Sequence, residues 1–191
     1  GYLALMALFS FAPEEMKPTA LLLNLFVAAI SFFHYWRAGF FNAKLFLVFA
    51  LSSIPLSYLG GKMNIDPKIY KITLGVLLIF AILKMLNVFG KETLTVKKVN
   101  LPFALIIGGI IGFFSGLIGI GGGIILSPLM LLMRWAKLRE TAAVSALFIF
   151  VNSLSGFYGQ VQKNGFYLTQ DLQFAIIATI IGGVLGSYFG S

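Results

Sequence analysis

The feature that most constrains this chain is a series of long apolar runs that contain no Asp, Glu, Lys or Arg. A helix needs roughly 20 residues to cross the hydrocarbon core of a bilayer, and four runs have about that length: 18–36, 45–61, 141–162 and 172–191. The shorter uncharged run 72–83 is followed by Lys84, close enough to the end at Phe89 to reach the interface, and residues 69–89 predict a fifth span. The runs lack the alternation of a membrane β-barrel. The sequence therefore predicts an all-α, polytopic transmembrane helical bundle.

Composition and charge exclude other classes of protein. Hydrophobic residues make up 59% of the chain and charged residues 10%, against about 25% charged residues in soluble domains. The net charge of +8 comes from basic residues scattered between the apolar runs. Such scattering indicates membrane topology, with Lys and Arg in cytoplasmic loops, rather than a nucleic-acid footprint. We expect the lipid bilayer as a partner and no nucleic acid.

Residues for catalysis and for metal binding are scarce. The chain has no cysteine and a single histidine, His34, and every predicted span lacks Asp and Glu. Acid–base or metal chemistry therefore has almost no groups to use. We expect no enzyme activity, no metal and no cofactor.

Run 99–133 does not fit one span. As a straight helix its 35 residues would measure about 50 Å, against a hydrocarbon core of about 30 Å. Gly119, Gly121, Gly122 and Gly123 lie near its middle, and glycine disfavours a helix interior. The run predicts two helical pieces, near 102–117 and 124–133, joined by a glycine break. Such backbone is tolerated at membrane depth only when it is buried in protein or lines a wet cavity.

The sequence matches itself without gaps when it is shifted by 126 positions. The most informative identities are Glu14 with Glu140, and Gly39-Phe40 with Gly165-Phe166. We predict a first transmembrane repeat at 1–90 that lacks its N-terminal hairpin, and a second at 91–191 that lacks its last helix. The full open reading frame is then expected to extend upstream into a second glycine-rich segment.

Loop charges favour an inverted arrangement of the two repeats. If 99–133 is a re-entrant hairpin, the loops near 34–44, 90–100 and 134–140 share one face with eight basic residues, against five on the other. If that run crosses once, the division is seven against six. The first arrangement gives the larger bias, which is the one that the positive-inside tendency favours.

The glycine-rich segment at 119–123 has three interpretations. A nucleotide-binding loop would need a preceding strand or a Gly-Lys-Ser/Thr sequence, which are absent from the sequence. Small residues at every fourth position also let membrane helices pack closely. A broken helix, whose free N–H groups and N-terminus face an anion, explains the density of glycine better.

Polar residues in the spans form stripes. On 141–160 the stripe consists of Thr141, Ser145, Asn152 and Ser155, and in the first copy Asn24 and Ser31 lie on a similar small-polar stripe, with Thr19 aligned to Ser145. Such stripes either line a pathway or form hydrogen bonds between helices. At the end of span 18–36, Arg37 and the aromatic residues before it indicate an interfacial anchor. Alternatively, Arg37 attracts an anion, and His34 carries a coupling proton.

A motif resembles a known family. Gly116-x-x-Gly119-x-Gly121-Gly122-Gly123-x-x-x-x-Pro128, followed by Ala143–Leu147 and Asn152-Ser153, is similar to the sulfite exporter TauE/SafE family. Lys17–Ala20 and Arg37–Gly39 resemble the first-repeat motifs. The resemblance implies a multi-pass inner-membrane permease with duplicated four-helix halves that moves sulfite, thiosulfate or small sulfonates. It assigns Gly119, Gly121, Gly122, Gly123 and Pro128 to the second-repeat site.

We therefore expect a secondary transporter for a small anion that works by alternating access. The expected substrate-binding residues are Gly119, Gly121, Gly122, Gly123, Ser127, Pro128, Ser145, Asn152, Thr19 and Asn24. The alternatives are a non-transporting membrane scaffold subunit, which would show no thermal shift with an anion, and an anion channel. A homo-oligomer is compatible with the sequence.

Overall fold

The computed structural model describes residues 13–64, 66, 68–73, 75–76, 79, 96–165 and 170–190. Within these residues all regular secondary structure is helical, as predicted. The apolar residues 1–12 lie outside the described residues, and so does most of the predicted span 69–89, of which 69–73, 75–76 and 79 are helical.

The named helices cover the predicted spans other than 69–89. In chain order they are α1 (Pro13–Arg37), α2 (Ala43–Lys62), α3 (Leu101–Ile118), α4 (Gly123–Leu132), α5 (Leu138–Asn164) and α6 (Gln170–Gly190). Among the described residues, α1, α2, α3 and α5 are long and apolar enough to cross a membrane. The chain is thus a multi-pass membrane protein. The predicted break is confirmed, and α3 and α4 match their predicted bounds to within one residue.

Local capping chemistry explains where two of these helices start. The side-chain oxygen of Asn42 accepts from the Leu45 N–H at 3.1 Å, and that of Asn100 accepts from the Phe103 N–H at 3.3 Å. Asparagine is a preferred N-cap because its oxygen satisfies an N–H that has no partner in the first turn. Each apolar run therefore begins its helix just after a polar residue.

Three loops meet at one end of the bundle, which we call end A and define as residues 37–43, 97–100 and 133–140. The Lys97 N–H donates to the Arg134 carbonyl at 2.7 Å. The Asn42 amide donates to the Glu140 carboxylate at 2.6 Å, and the Arg139 guanidinium lies 5.1 Å from the centre of the Phe40 ring. These contacts group the loops that the re-entrant arrangement requires on one face.

The opposite end, which we call end B, contains residues 16–17, 60–64, 66, 68–71 and 159–165. There the Lys17 ammonium donates to the Met63 carbonyl at 2.9 Å, which ties the start of α1 to the end of α2. The Tyr58 hydroxyl contacts the Gln162 side chain, which ties α2 to α5. Because α1 runs from end B to end A and α5 runs from end A to end B, these two helices are antiparallel.

Helix α4 folds back beside α3. A Cβ on Gly122, at the start of α4, would lie 2.9 Å from Ile111 and 3.4 Å from Ser115, both on α3. Beyond the end of α4, the Trp135 ring packs edge-on against Phe103 in the first turn of α3, with 6.1 Å between centroids. The two helices therefore form an antiparallel hairpin that begins and ends at end A. Its re-entry into one face of a membrane stays a prediction.

Close packing of glycine and serine joins α2 to its neighbours. A Cβ on Gly108, Gly112 or Gly116 of α3 would collide with the α2 backbone, at Phe49, Ser53 and Ser57. Close to Gly116, Gly61 of α2 meets Gly156 of α5, again with the backbones in contact. Small residues allow this approach between membrane helices. The packing interpretation of the glycine motif therefore holds for its every-fourth residues.

The spacing of 126 positions reappears in the structure. Helix α1 ends at Arg37 and α5 at Asn164, and each is followed by a glycine with positive φ, +77° at Gly39 and +73° at Gly165. Equivalent helices also run in opposite directions. This geometry agrees with an inverted repeat, and the repeat itself stays a prediction.

The glycine contact between α2 and α3 predicts that alanine is destabilising at this contact and tolerated at a glycine that meets open space. Gly116→Ala places a methyl against the Ser57 carbonyl, so we expect a loss of about 1–3 kcal/mol from overpacking. Gly182→Ala on α6 meets open space and is expected to be neutral or slightly stabilising, because alanine favours helix. Denaturation of both variants in detergent, followed by circular dichroism, tests this. Equal stability of the two would contradict the backbone contact.

Candidate functional site

The candidate site is built on the glycine turn, which we define as residues 119–123. Gly119, Gly121 and Gly122 have φ values of +88°, +77° and +77°. Side chains with a Cβ disfavour this left-handed region by roughly 1–2 kcal/mol per residue. Gly119 ends α3, and its N–H donates to the Ser115 carbonyl at 2.8 Å. The positive φ values thus require glycine at these positions, even where a side chain would have room.

The glycine turn lies between α1 and α5, near the middle of the bundle. A Cβ on Gly121 would lie 2.9 Å from the Asn24 amide nitrogen, 3.1 Å from the Ser153 hydroxyl and 2.8 Å from Ile149. Asn24 is the twelfth of the 25 residues of α1. Gly121 is buried along with the rest of the glycine turn. Non-helical backbone is therefore enclosed by protein, as membrane depth requires.

Helix α4 begins at the glycine turn without a side-chain cap. Its N-cap residue is Gly122, which has no side chain that could accept a hydrogen bond from the first N–H groups. The first N–H groups of a helix have no partner within the helix, and the aligned peptide dipoles place a partial positive charge at that end. Together these properties suit a negatively charged group. The start of α4 is hence an electropositive point in the bundle interior.

Polar side chains surround the glycine turn. The Asn24 amide donates to the Gly119 carbonyl at 3.3 Å. The hydroxyls of Ser115 and Ser153 and the side-chain oxygen of Asn152 are buried, and each lacks a hydrogen-bond partner among the described residues. Buried polar groups are usually paired, so such atoms require an explanation, and an unseen ligand or water is one.

The polar residues of the stripe on α5 make different hydrogen bonds at different positions along the helix. Near the start of α4, the Ser127 hydroxyl donates to the Ser145 hydroxyl at 2.8 Å. Towards end B, the Ser155 hydroxyl donates to the Ile54 carbonyl at 2.6 Å, which is a contact between helices. In between, the Asn152 amide donates to the Phe148 carbonyl of its own helix at 2.9 Å. The bonding interpretation thus describes Ser155, and the α5 side chains that lie beside Gly121 are Ile149 and Ser153.

The other residues expected at the site lie farther out. Thr19 and Pro128 are half-buried on α1 and α4, and the contacts to the glycine turn described above come from other residues. His34 lies in the last turn of α1, about 15 Å along the helix from Asn24. Arg37 is exposed at end A, with its guanidinium 5.6 Å from the centre of the Phe33 ring. The structure does not bring His34 or Arg37 to the glycine turn.

Three residues near the glycine turn are not among the substrate-binding residues expected from the sequence. Ser115 and Ser153 are buried beside it, and Lys17 of α1 adjoins Gly119 through its backbone. The sequence carries a signal for each of them. Ser115 lies one helical turn before Gly119, Ser153 follows Asn152 in the family-like motif, and Lys17 begins the segment Lys17–Ala20 that resembles a first-repeat motif.

The comparisons with known proteins give a consistent result. A family model described as "Sulfite exporter TauE/SafE" matches residues 1–191. The chain is 35% identical over 195 residues to a probable membrane transporter protein of Sinorhizobium fredii, with 100% of this chain and 78% of the relative covered. A probable membrane transporter protein of Methanocaldococcus jannaschii is 27% identical over 149 residues, which cover 76% of this chain and 55% of that relative. No solved structure matches the chain significantly.

Gly121 and Gly39 form a matched pair that separates the cost of conformation from that of space. Both have φ +77°, but a Cβ at Gly39 would meet nothing within 4 Å. We expect Gly39→Ala to lose about 1–2 kcal/mol of stability. Gly121→Ala should lose about 1–3 kcal/mol more, because its methyl also meets Asn24, Ile149 and Ser153. Unfolding curves measure the difference, and equal losses would mean that the glycine turn is not tightly enclosed.

Proposed function

Because this chain belongs to the sulfite exporter TauE/SafE family, we propose that it is a secondary transporter of a small anion. The substrate class is sulfite, thiosulfate or an organosulfonate, carried across the inner membrane by alternating access. One observation carries the proposal: the uncapped start of α4 lies in the bundle interior beside buried hydroxyl and amide groups.

The glycine turn has the chemistry to hold an oxyanion. Backbone N–H groups at a helix start, together with the hydroxyls of Ser115 and Ser153, are hydrogen-bond donors that can point at the same ligand. The side chain of Asn24 already bonds the Gly119 carbonyl and so keeps the turn in place. These donors are neutral, so the anion meets a polar surface that binds it without trapping it.

The length of α4 supports a site near the middle of the membrane. Ten residues of helix measure about 15 Å, which is half of a hydrocarbon core of about 30 Å. If end A lies at the membrane surface, the start of α4 reaches close to the bilayer centre. Transporters commonly place such half-helix starts at the midplane, pointing at anionic substrate groups.

The arrangement of α1 and α5 supports alternating access. They run in opposite directions, and a side chain of each, Asn24 on α1 and Ser153 on α5, lies beside Gly121 of the glycine turn. In an inverted-repeat transporter, one repeat rocks against the other around a site between them. Such rocking would expose the glycine turn first to one end of the bundle and then to the other.

The basic residues orient the bundle. Among the described residues, end A and its adjoining turns carry Arg37, Lys44, Lys97, Lys98, Arg134, Lys137 and Arg139, and end B carries Lys17, Lys62, Lys68, Lys71 and Lys163. Lys and Arg favour the cytoplasmic side. We propose that end A is cytoplasmic.

Transport by the full-length protein in vesicles tests the function. We expect uptake of at least one of labelled sulfite, thiosulfate and a taurine-like sulfonate, with counterflow. Ser153→Ala, which removes a buried unpaired hydroxyl, should lower transport tenfold or more, because a hydrogen bond to a charged group contributes about 1.5–3 kcal/mol. Ser155→Ala, whose hydroxyl bonds only the Ile54 carbonyl among the contacts described, should transport within about threefold of the parent.

Three results would contradict the proposal. Transport by Gly121→Leu and Gly122→Leu at the parental rate would remove the glycine turn from the site. Conductance without counterflow would indicate a channel. The absence of any thermal shift with these anions would favour a scaffold subunit, because a ligand that binds the folded protein stabilises it.

The membrane topology has its own test, which the lack of cysteine in these 191 residues makes simple. Single cysteines at Gly39, Asn100 and Met133 should all react with a membrane-impermeant maleimide from the cytoplasmic side. A cysteine at Asn64 should react from the opposite side. If Met133 and Asn100 were labelled from different sides, α3 and α4 would not form a re-entrant hairpin.

A further inference from the structure

Lys17 is the buried cation nearest to the glycine turn in the part of the chain that the structure describes. It lies in the second turn of α1 and is only 4% exposed. Its ammonium donates to the Met63 carbonyl at 2.9 Å. An ammonium has three donors, and this carbonyl uses one of them.

The charge of Lys17 is not balanced by any carboxylate whose side chain the structure describes. Lys163 carries a like charge in the last turn of α5, at the same end of the bundle, and repels it. Glu14 precedes Lys17 by one helical turn in the sequence. A buried charge is costly unless it is paired and hydrogen-bonded. Two cations held near each other at end B therefore create a place where an anion is favoured.

Lys17 also borders the glycine turn directly. A Cβ on Gly119 would lie 3.1 Å from the Lys17 carbonyl oxygen and 3.3 Å from its Cα. The last carbonyl of α3, at Ile118, is held by the Tyr70 hydroxyl at 2.8 Å. Lys17 thus stands at the end-B edge of the turn, beside the point where the backbone leaves the helix.

We propose that Lys17 is a substrate-binding residue whose ammonium is the counter-charge for a small oxyanion at the glycine turn. The Met63 carbonyl holds the ammonium while the site is empty. The flexible four-carbon stem of lysine allows the head group to swing from the carbonyl to the anion. This inference rests on the proposed function and assigns to the same site a cation that the polar stripes do not contain.

Three substitutions separate an anion-binding role from a merely structural contact. Lys17→Arg keeps the charge and the donor to Met63. Lys17→Gln keeps a neutral N–H donor, on a side chain one atom shorter, and removes the charge. Lys17→Met removes both. Lys62→Gln is the matched control, since Lys62 lies at the same end with its ammonium 5.3 Å from the Tyr58 ring centre.

The readout is binding of sulfite and thiosulfate to the purified full-length protein, measured by calorimetry and by thermal shift. Lys17→Gln and Lys17→Met should bind at least tenfold more weakly, with melting temperatures in the absence of anion close to the parent's. Lys17→Arg and Lys62→Gln should bind within about threefold of the parent. Glu14→Gln should not reproduce the Lys17→Gln loss, because the counter-charge proposed for Lys17 is the anion.

Each other outcome overturns the assignment. If Lys17→Gln bound the anions with the parent's affinity, Lys17 would serve only as a structural contact with Met63. If both neutral variants failed to fold while Lys17→Arg folded, the charge would serve folding. If the parent bound none of the anions, the proposed function and this inference would fall together, whereas a binding parent with an unaffected Lys17→Gln would remove only Lys17.

Discussion

The structure depends on one constraint, which is that backbone N–H and C=O groups must be satisfied wherever water is absent. Helices meet this requirement on their own, but the glycine turn does not. It is tolerated because α1, α3 and α5 enclose it and because the Asn24 amide bonds the Gly119 carbonyl. At the start of α4 this requirement is not met by a capping side chain.

Enclosure of the glycine turn in turn depends on close packing elsewhere. Gly112 and Gly116 of α3 touch the α2 backbone, and Gly61 of α2 touches Gly156 of α5. These contacts hold α3 and α5 close to a shared neighbour, and both of these helices also contact the glycine turn. Glycine therefore serves two purposes within one motif. At the start of the motif it allows helices to pack closely, and at its end it allows left-handed backbone.

The helices and the break between α3 and α4 were predictable because both follow from local rules. An uncharged run of membrane length forms a helix, and four glycines in five residues interrupt one. The four glycine residues named for the site make up the turn together with Ile120, and Asn24 reaches it. Ser153 lies in the family-like motif but outside the polar stripe, so helical periodicity does not place it at the turn. Sequence alone likewise does not show that Lys17 is buried.

The sequence by itself determined the membrane class, the helical elements, the position of the glycine turn and the distribution of basic residues. Each of these depends on residues close together in the chain, or on composition alone. Only the tertiary structure decided that α4 folds back beside α3. It also decided that Asn24 of α1 and Ser153 of α5 lie beside Gly121, and that the Lys17 ammonium bonds the Met63 carbonyl. These contacts join residues that lie far apart in sequence, and helix packing fixes them through backbone distances that no local pattern encodes.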